Sequence, residues 1–309
     1  MNNLQQNKLF NSYKGVIFAF FAAVCFSTKA ILVKLLYAEG LDSHTALMLR
    51  MMFSIPFFLY IAWDARNDIP KENELAKPTA LHYFYLFVLG LLGYYLSSLF
   101  DFIGLQYISA GLERLIVFIY PTIVVILRLI FFKRKIRSAE VLALLLTYSG
   151  MFLVFYHDIW AVRFSNNRVV EGSVYVFLST ITYAFYLIGS EKLIPLFGAK
   201  KFTAYAMSIS CVIVIIHGFI TTGFQSFNLS LKIYGISLLM AMLSTVLASL
   251  LLSEAIKQIG SGKTAIIGSF GPVATISMAF WLLNETVSET EIWGTFLILG
   301  GVLWVSYKK

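Results

Sequence analysis

The chain has 309 residues, of which 59% are hydrophobic and 13% are charged, and its mean hydropathy is +0.80. Soluble domains average about 45–50% apolar and about 25% charged residues, so this composition excludes a soluble globular protein and indicates a polytopic membrane protein. The formal net charge of +8 is explained by Lys and Arg in cytoplasmic loops, so we expect the lipid bilayer and no nucleic acid as a partner.

Ten apolar segments follow one another along the chain, each near the roughly 20 residues that a membrane-spanning helix needs. They cover about residues 15–37, 43–63, 81–106, 111–132, 137–157, 172–196, 202–222, 232–256, 263–283 and 290–307. The linkers are short, apart from two polar loops at 64–80 and 157–171. The sequence therefore predicts an all-α polytopic membrane protein with ten transmembrane helices.

The positions of Lys and Arg predict the orientation of these helices. One side of the membrane would carry most of the basic residues: Lys8, Lys14, Arg66, Lys71, Lys77, Lys133, Arg134, Lys135, Arg137, Lys200, Lys201, Lys257, Lys263, Lys308 and Lys309. The opposite side would carry mainly Arg163 and Arg168, with Lys232 at its edge. Basic loops stay in the cytoplasm, so we expect a multi-pass protein of the cell (inner or plasma) membrane with both termini cytoplasmic.

Residues of the first half recur in the second half at a nearly constant offset. Gly111 and Pro121 recur as Gly262 and Pro272, and holding that offset of 151 pairs Ile108 with Ile259, Glu140 with Glu291, Gly150 with Gly301 and Tyr156 with Tyr307. At a slightly larger offset, Gly15 pairs with Gly172, Gly40 with Gly198 and Thr45 with Thr203. The pattern predicts two five-helix repeats, at 15–157 and 172–308. Because five is odd, the second repeat must enter the membrane inverted.

The ends of the two repeats resemble the drug/metabolite transporter superfamily, and within it the EamA family. The resemblance rests on residues 104–121, which end in Tyr-Pro, on residues 259–272, which end in Phe-Gly-Pro, and on Leu-Leu-Asn-Glu-Thr-Val at 282–287. The family's Glu after a helix is present as Glu285, whereas the first half has Arg134 at the equivalent position. The resemblance implies a ten-helix fold, a central cavity between the halves, and transport of small metabolites, often the export of amino acids.

Charged residues inside the apolar segments are the candidates for a binding site. A charge at the centre of a membrane helix costs roughly 2.5–3.5 kcal/mol on insertion scales, so such residues face a cavity or pair with one another. We predict a cavity lined by Lys29, Arg50, Tyr94, Ser98, Asp101, Glu113, Arg114 and Tyr183. The alternative for each charged residue is an internal salt bridge that only holds helices together, and the two roles overlap.

Helical spacing places several of these residues together. Tyr94, Ser97 and Ser98 precede Asp101 by seven, four and three residues, which puts all four on one polar face of an otherwise apolar helix. Pro121 removes a backbone hydrogen bond and would let its helix bend beside the cavity. Tyr183 corresponds to Phe26, near Lys29.

Two further cations lie nearer to the helix ends. We expect the long side chains of Lys34 and Arg128 to extend towards the membrane interfaces.

The sequence contains no motif that points to catalysis or to a cofactor. It has no CxxC, HExxH, GxSxG or P-loop pattern, and its four histidines fall near the ends of the predicted helices. We therefore expect no enzyme activity, no cofactor and no metal. The sequence favours a secondary transporter, an exporter in the sense that its family implies, for a small-molecule substrate such as an amino acid or a related anionic or zwitterionic metabolite. It would act by alternating access as a monomer or homodimer. An intramembrane enzyme, a channel and a structural scaffold are the alternatives.

Overall fold

The described residues of the computed structural model are 3–67, 78–108, 110–133, 137–154, 167–223, 228–283 and 289–307, and they form helices joined by short turns. The helices up to the middle of the chain are α1 (Asn3–Ala38), α2 (Ser43–Asp64), a 3-10 turn (Ala65–Asn67), α3 (Ala80–Gly90), a first π turn (Leu91–Leu96), α4 (Ser97–Tyr107), α5 (Ala110–Val117), α6 (Tyr120–Phe132) and α7 (Ser138–Val154). They are followed by α8 (Asn167–Phe197), α9 (Ala199–Thr222), α10 (Leu231–Met240), a second π turn (Ala241–Leu247), α11 (Ala248–Gly268), α12 (Gly271–Leu283) and α13 (Glu289–Tyr307). The prediction of an all-helical fold is confirmed for this part of the chain.

Seven stretches of the described helices are long and apolar enough to cross a membrane. They are Tyr13–Ala38, Ser43–Asp64, Ala80–Tyr107, Leu112–Phe132, Arg168–Phe197, Ala199–Thr222 and Leu231–Gly268, and two shorter apolar helices cover Ser138–Leu153 and Ile292–Trp304. Large apolar side chains such as Ile220 and Leu231 lie on the outer surface, exposed by 78% and 87%. An apolar exterior of this kind suits a bilayer, so the chain is a multi-pass membrane protein.

Two of the predicted helices differ in detail from the observed ones. The predicted helix at 111–132 is interrupted at Phe118 and Ile119, and α6 then begins with Pro121 in its first turn. The bend expected at this proline is therefore a break, because a proline nitrogen carries no hydrogen for the preceding turn. The predicted helices at 232–256 and 263–283 are divided differently, since α11 continues through Gly260, where φ is +78°, and ends at Gly268.

Four helix pairs make the most extensive contacts in the fold. They are α7 with α13, α1 with α11, α2 with α9, and α4 with α8. The contact between α7 and α13 depends on small residues: a Cβ atom added to Gly150 would lie 2.5 Å from the Gly294 carbonyl oxygen, and one added to Gly301 would lie 2.7 Å from the Ala143 carbonyl oxygen. Such close backbone approach is the usual way in which membrane helices associate.

Some residues used for the orientation and the family resemblance lie outside the described residues. These are Lys71, Lys77, Arg134, Lys135, Tyr156, Arg163, Glu285, Lys308 and Lys309, so the predicted orientation of the loops stays a prediction.

Candidate functional site

A cavity of about 110 Å³ lies between helices of the first half and helices of the second half. From the first half, its walls come from α1, α2, the first π turn, α4, α5 and α6; from the second half, they come from α8, the second π turn, α11 and α12. Seven of the predicted site residues line it: Lys29, Arg50, Tyr94, Ser98, Asp101, Arg114 and Tyr183. Glu113, the eighth, is buried behind two of these cations and does not line the cavity.

Four charged groups form a chain of ion pairs at one wall of this cavity. The Nζ atom of Lys29 lies 2.6 Å from Oδ2 of Asp101 and 3.5 Å from Oε1 of Glu113. The Nε atom of Arg114 lies 3.2 Å from Oε2 of Glu113. Lys29 is carried by α1, Asp101 by α4, and the adjacent Glu113 and Arg114 by α5, so the pairs hold three helices of the first half together.

The position of Arg114 is fixed by its neighbours as well as by Glu113. Its Nη2 donates to the carbonyl oxygens of Phe26 and Ser27 at 3.3 and 3.4 Å, in the middle of α1. The Oγ atom of Ser27 in turn donates to the carbonyl oxygen of Gly271, which begins α12. This chain of contacts connects the ion pairs of the first half to a helix of the second half.

Arg50 differs from the other cations because its partners in the described structure are uncharged. It lies in α2, is 4% exposed, and donates from Nη2 to Oγ of Ser98 at 3.2 Å. Its guanidinium carbon lies 5.3 Å from the centre of the Phe102 ring. Its Nε has no hydrogen-bond partner among the described residues.

The opposite wall of the cavity consists of tyrosines and small hydroxyl groups. The hydroxyls of Tyr94 and Tyr186 lie 2.8 Å apart, and those of Ser97 and Ser179 lie 3.2 Å apart. Tyr183 packs between two other tyrosine rings, with centroid distances of 5.5 Å to Tyr120 and 6.1 Å to Tyr186. These side chains can meet the polar and the apolar parts of a small solute without adding charge.

A second ion cluster, which sequence spacing did not predict, joins the two halves of the chain. Arg128 of α6 lies 3.1 Å from Glu140 of α7 and 3.7 Å from Glu191 of α8. The backbone N–H and the hydroxyl of Ser261 also donate to Glu191. The expectation that Arg128 extends to the membrane interface is therefore wrong, because two carboxylates hold its guanidinium against the other half.

Lys34 likewise has partners inside the protein. Its Nζ donates to the carbonyl oxygens of Leu105 and Ile108, each at 2.7 Å, and so caps the end of α4. Sequence position alone places both cations near helix ends. The partners that hold them come from helices distant in the chain, which no local spacing rule identifies.

The comparisons with known proteins agree with this architecture. The chain is 29% identical to the uncharacterized transporter YcbK of Bacillus subtilis (strain 168), an alignment that covers 99% of this chain and 96% of the relative. It is 26% identical to the uncharacterized transporter YyaM of the same organism over 76% of each chain. An uncharacterized transporter of Archaeoglobus fulgidus is 22% identical over 88% of this chain and 90% of its own length.

A solved crystal structure shows the same fold at low sequence similarity. It superposes with a TM-score of 0.74, is 13% identical, and covers 94% of this chain and 95% of its own. The profile of the EamA-like transporter family matches residues 13–156 and again residues 170–307, which together span most of the sequence. The chain therefore belongs to the EamA-like transporter family of membrane proteins.

Proposed function

We propose that the protein is a secondary transporter that exports a small polar metabolite, such as an amino acid or a related anionic or zwitterionic compound, across the cell membrane. The observation that carries this proposal is the cavity between the two halves, which combines ion-paired and polar side chains within an otherwise apolar protein. Charged groups inside a membrane protein are costly and mark the pathway of a solute or an ion.

The proposal includes two inverted five-helix repeats, and the packing of the helices supports it. The sequence offsets pair α1 with α8, α2 with α9, α4 with α11, and α7 with α13. Under that exchange, the contact between α1 and α11 becomes the contact between α8 and α4, while the contacts α2–α9 and α7–α13 each map onto themselves. Each of the four major contacts thus has a counterpart.

Local irregularities of the backbone recur at the same offset. The first π turn, Leu91–Leu96, is matched by the second, Ala241–Leu247. The break between α5 and α6 is matched by the break between α11 and α12, and the positive φ of Gly40 is matched by that of Gly198. Two related units of opposite orientation would let a central site face either side of the membrane in turn.

In this mechanism the two halves rock against each other around a bound solute. The ion cluster of Arg128, Glu140 and Glu191 lies at one end of the interface between the halves, and it would have to open for a solute to pass there. No covalent step is required, and the driving force would be an exchanged solute or protons.

Counterflow from proteoliposomes tests the proposal even though the substrate is unidentified. Vesicles containing the purified protein would be loaded with a cytosolic metabolite extract, and the solutes released into an unlabelled bath of the same extract would be identified by mass spectrometry. We expect a small set of polar solutes to leave with unchanged mass, at a saturable rate. The Asp101→Asn variant should lose this flux, and the exposed Lys232→Gln variant should keep it.

The same experiment separates the alternatives. A channel would release solutes without saturation or exchange, and an intramembrane enzyme would alter their mass. If no solute is released above the level of protein-free vesicles, the proposed function is wrong.

A further inference from the structure

We propose that Arg50 is the group that binds the substrate, and that it selects a solute with a single carboxylate head. This inference rests on the proposed function, because it assigns the chemistry of the solute that occupies the cavity. It follows from a comparison of the three cations of the cavity, each of which has a different set of partners.

Lys29 and Arg114 are already neutralised by the protein. Lys29 contacts the carboxylates of Asp101 and Glu113 at 2.6 and 3.5 Å, and Arg114 contacts Glu113 at 3.2 Å. Arg114 also donates from its Nη2 to two carbonyl oxygens of α1. A solute could bind either cation only by breaking an existing pair, which would leave a buried carboxylate without a partner.

Arg50 has the opposite balance of donors and acceptors. A guanidinium has five N–H donors, and in the described structure Arg50 uses one of them, towards Ser98. No carboxylate among the described residues lies within ion-pair distance, although the side chain is 4% exposed and lines the cavity. Burial of a charge without a counterion is unfavourable, and an anionic solute would remove that cost.

The total charge of the site limits the charge of the solute. With ordinary ionisation, Lys29, Arg50 and Arg114 carry three positive charges, whereas Asp101 and Glu113 carry two negative charges. One negative charge on the solute brings the sum to zero. A dicarboxylate or a phosphate monoester dianion would leave an excess negative charge, and an amine would add a second positive one, in surroundings where such charges interact strongly.

The shape of the Arg50 environment favours a carboxylate as that anion. The guanidinium lies over the ring of Phe102, which leaves one edge of its planar fork for a ligand. A carboxylate accepts two parallel hydrogen bonds from such an edge, and this bidentate arrangement is among the strongest hydrogen-bonded contacts in proteins. Ser98, which contacts Arg50, lies three residues before Asp101 in α4, so both line the same side of the helix.

Asp101 offers a place for an amino group on the same solute. Its Oδ2 contacts Lys29, whereas its Oδ1 is buried and has no hydrogen-bond partner among the described residues. An amino group next to the carboxylate could donate to this oxygen, so that an amino acid and its deaminated acid would both fit. The carboxylate is the required element, and the amino group is an addition.

Binding of simple ions to the purified protein tests the role of Arg50. Acetate, malonate and methylammonium would be titrated at constant ionic strength, with potassium chloride as the reference, and the midpoint of thermal unfolding (Tm) would be measured. We expect acetate to raise Tm saturably by at least about 2 °C beyond chloride, because a ligand that binds only the folded state stabilises it. Malonate and methylammonium should give no saturable increase.

Two substitutions of Arg50 and one control complete the binding experiment. Arg50→Gln should abolish the acetate effect without lowering Tm in its absence, since it removes a charge that lacks a counterion. Arg50→Lys keeps the charge but loses the fork, and should weaken acetate binding by at least about tenfold. Arg66→Gln is the matched control: Arg66 also lies over an aromatic ring, Trp63 at 4.6 Å, but is exposed and outside the cavity, so it should behave as wild type.

The proposal is overturned if acetate has no effect on the wild-type protein, if Arg50→Gln retains the effect, or if malonate or methylammonium binds as well as acetate. An effect that disappears in Arg114→Gln but persists in Arg50→Gln would assign the anion to Arg114 instead.

Counterflow separates this inference from the proposed function. Vesicles would be tested with leucine, its deaminated acid 4-methylpentanoate, its decarboxylated amine 3-methylbutylamine and the dianion 2-isobutylmalonate, which share one side chain. Carriage of leucine or 4-methylpentanoate, but of neither the amine nor the dianion, supports the inference. Transport of cytosolic solutes that is unaffected by Arg50→Gln would leave the transporter in place and overturn the role of Arg50. Absence of all transport would overturn the proposed function itself.

Discussion

The two halves of the chain supply different chemistry to the same cavity. Every charged residue described in its ion pairs belongs to the first half, on α1, α4 and α5, and Arg50 on α2 does as well. At the sequence offsets of the repeat, the equivalent positions of the second half are uncharged: Tyr186, Ser208, Leu252, Thr264 and Ala265. The second half thus contributes hydroxyls, aromatic rings and apolar side chains.

This difference shows that the requirements of the fold and those of the site are separate. Both halves keep the same helix contacts, the same π turns and the same helix breaks, because these determine how the helices pack. The charges are present once, because a solute of a few atoms needs one set of partners. A duplicated set would place further unpaired charges in the membrane, at a cost of several kcal/mol.

The comparison fails outright if the two halves do not have opposite orientations. Single cysteines at positions 160–168 should react with a membrane-impermeant thiol reagent in intact cells. Cysteines at positions 68–76 should react only after permeabilisation. We expect an all-or-none difference, with the endogenous Cys25 and Cys211 replaced beforehand. The reverse pattern, or labelling of both loops from one side, would contradict the inverted repeat.

Removal of charge from the first half should have the largest effect on stability. Asp101→Asn leaves Lys29 without its nearest carboxylate, and loss of one partner of a buried pair costs about 3–5 kcal/mol. We expect a large fall in folded yield and in Tm, measured by size-exclusion chromatography and thermal unfolding in detergent. The double variant Asp101→Asn/Lys29→Met should recover much of the loss.

The pairing seen in the structure also predicts which double variant should not recover. Asp101→Asn combined with Arg50→Met should show a smaller coupling energy, because these two residues make no direct ion pair. Equal recovery in both double variants would show that the site responds only to total charge.

A methyl group at the junction of the halves should have an intermediate effect. A Cβ atom on Gly262 would lie 2.0 Å from Nη1 of Arg128, so Gly262→Ala must displace the guanidinium from its carboxylates. We expect a loss of about 1–3 kcal/mol in the free energy of unfolding, as is usual for overpacking. Gly235→Ala is the matched control, since nothing lies within 4 Å of the added atom. If Gly262→Ala is as costly in an Arg128→Ala background, the guanidinium is not the obstacle.

The smallest effect is expected where the second half meets the cavity without charge. Tyr186→Phe removes one hydroxyl from its 2.8 Å contact with Tyr94 and leaves the ring packing unchanged. A neutral hydrogen bond of this kind contributes about 0.5–1.5 kcal/mol, so Tm should fall by only a few degrees. A loss as large as that of Asp101→Asn would erase the distinction between the two walls.

The sequence is sufficient to predict the helical class and most of the cavity wall. Hydropathy identifies apolar helices directly, because backbone groups in lipid must be satisfied within a helix. A charge within such a helix must face a cavity or a partner, which is why Lys29, Asp101 and Arg114 can be identified from their positions alone. The polar face formed by Tyr94, Ser98 and Asp101 follows from helical spacing, and the structure places all three at the cavity.

The partners of these residues cannot be predicted in the same way. Which carboxylate pairs with which cation depends on distances between helices that are 72 or 84 residues apart in the chain, as for Lys29 with Asp101 and Glu113. The prediction for Arg128 is wrong for the same reason, because its carboxylates belong to α7 and α8. The positive φ at Gly260 is not predicted, because glycine within an apolar membrane helix is common and gives no local signal.

The π turn before α4 has a consequence for how this protein tolerates insertions and deletions. A π turn contains one more residue than the α-helical turn it replaces, since its hydrogen bonds run from residue i to i+5. Deletion of one residue from Leu91–Leu96 would restore an ordinary helix and rotate everything after it by about 100°. Ser98 and Asp101 would then leave the cavity together, although neither residue had been changed. In this helix, a single-codon deletion acts as a rotation of the binding site.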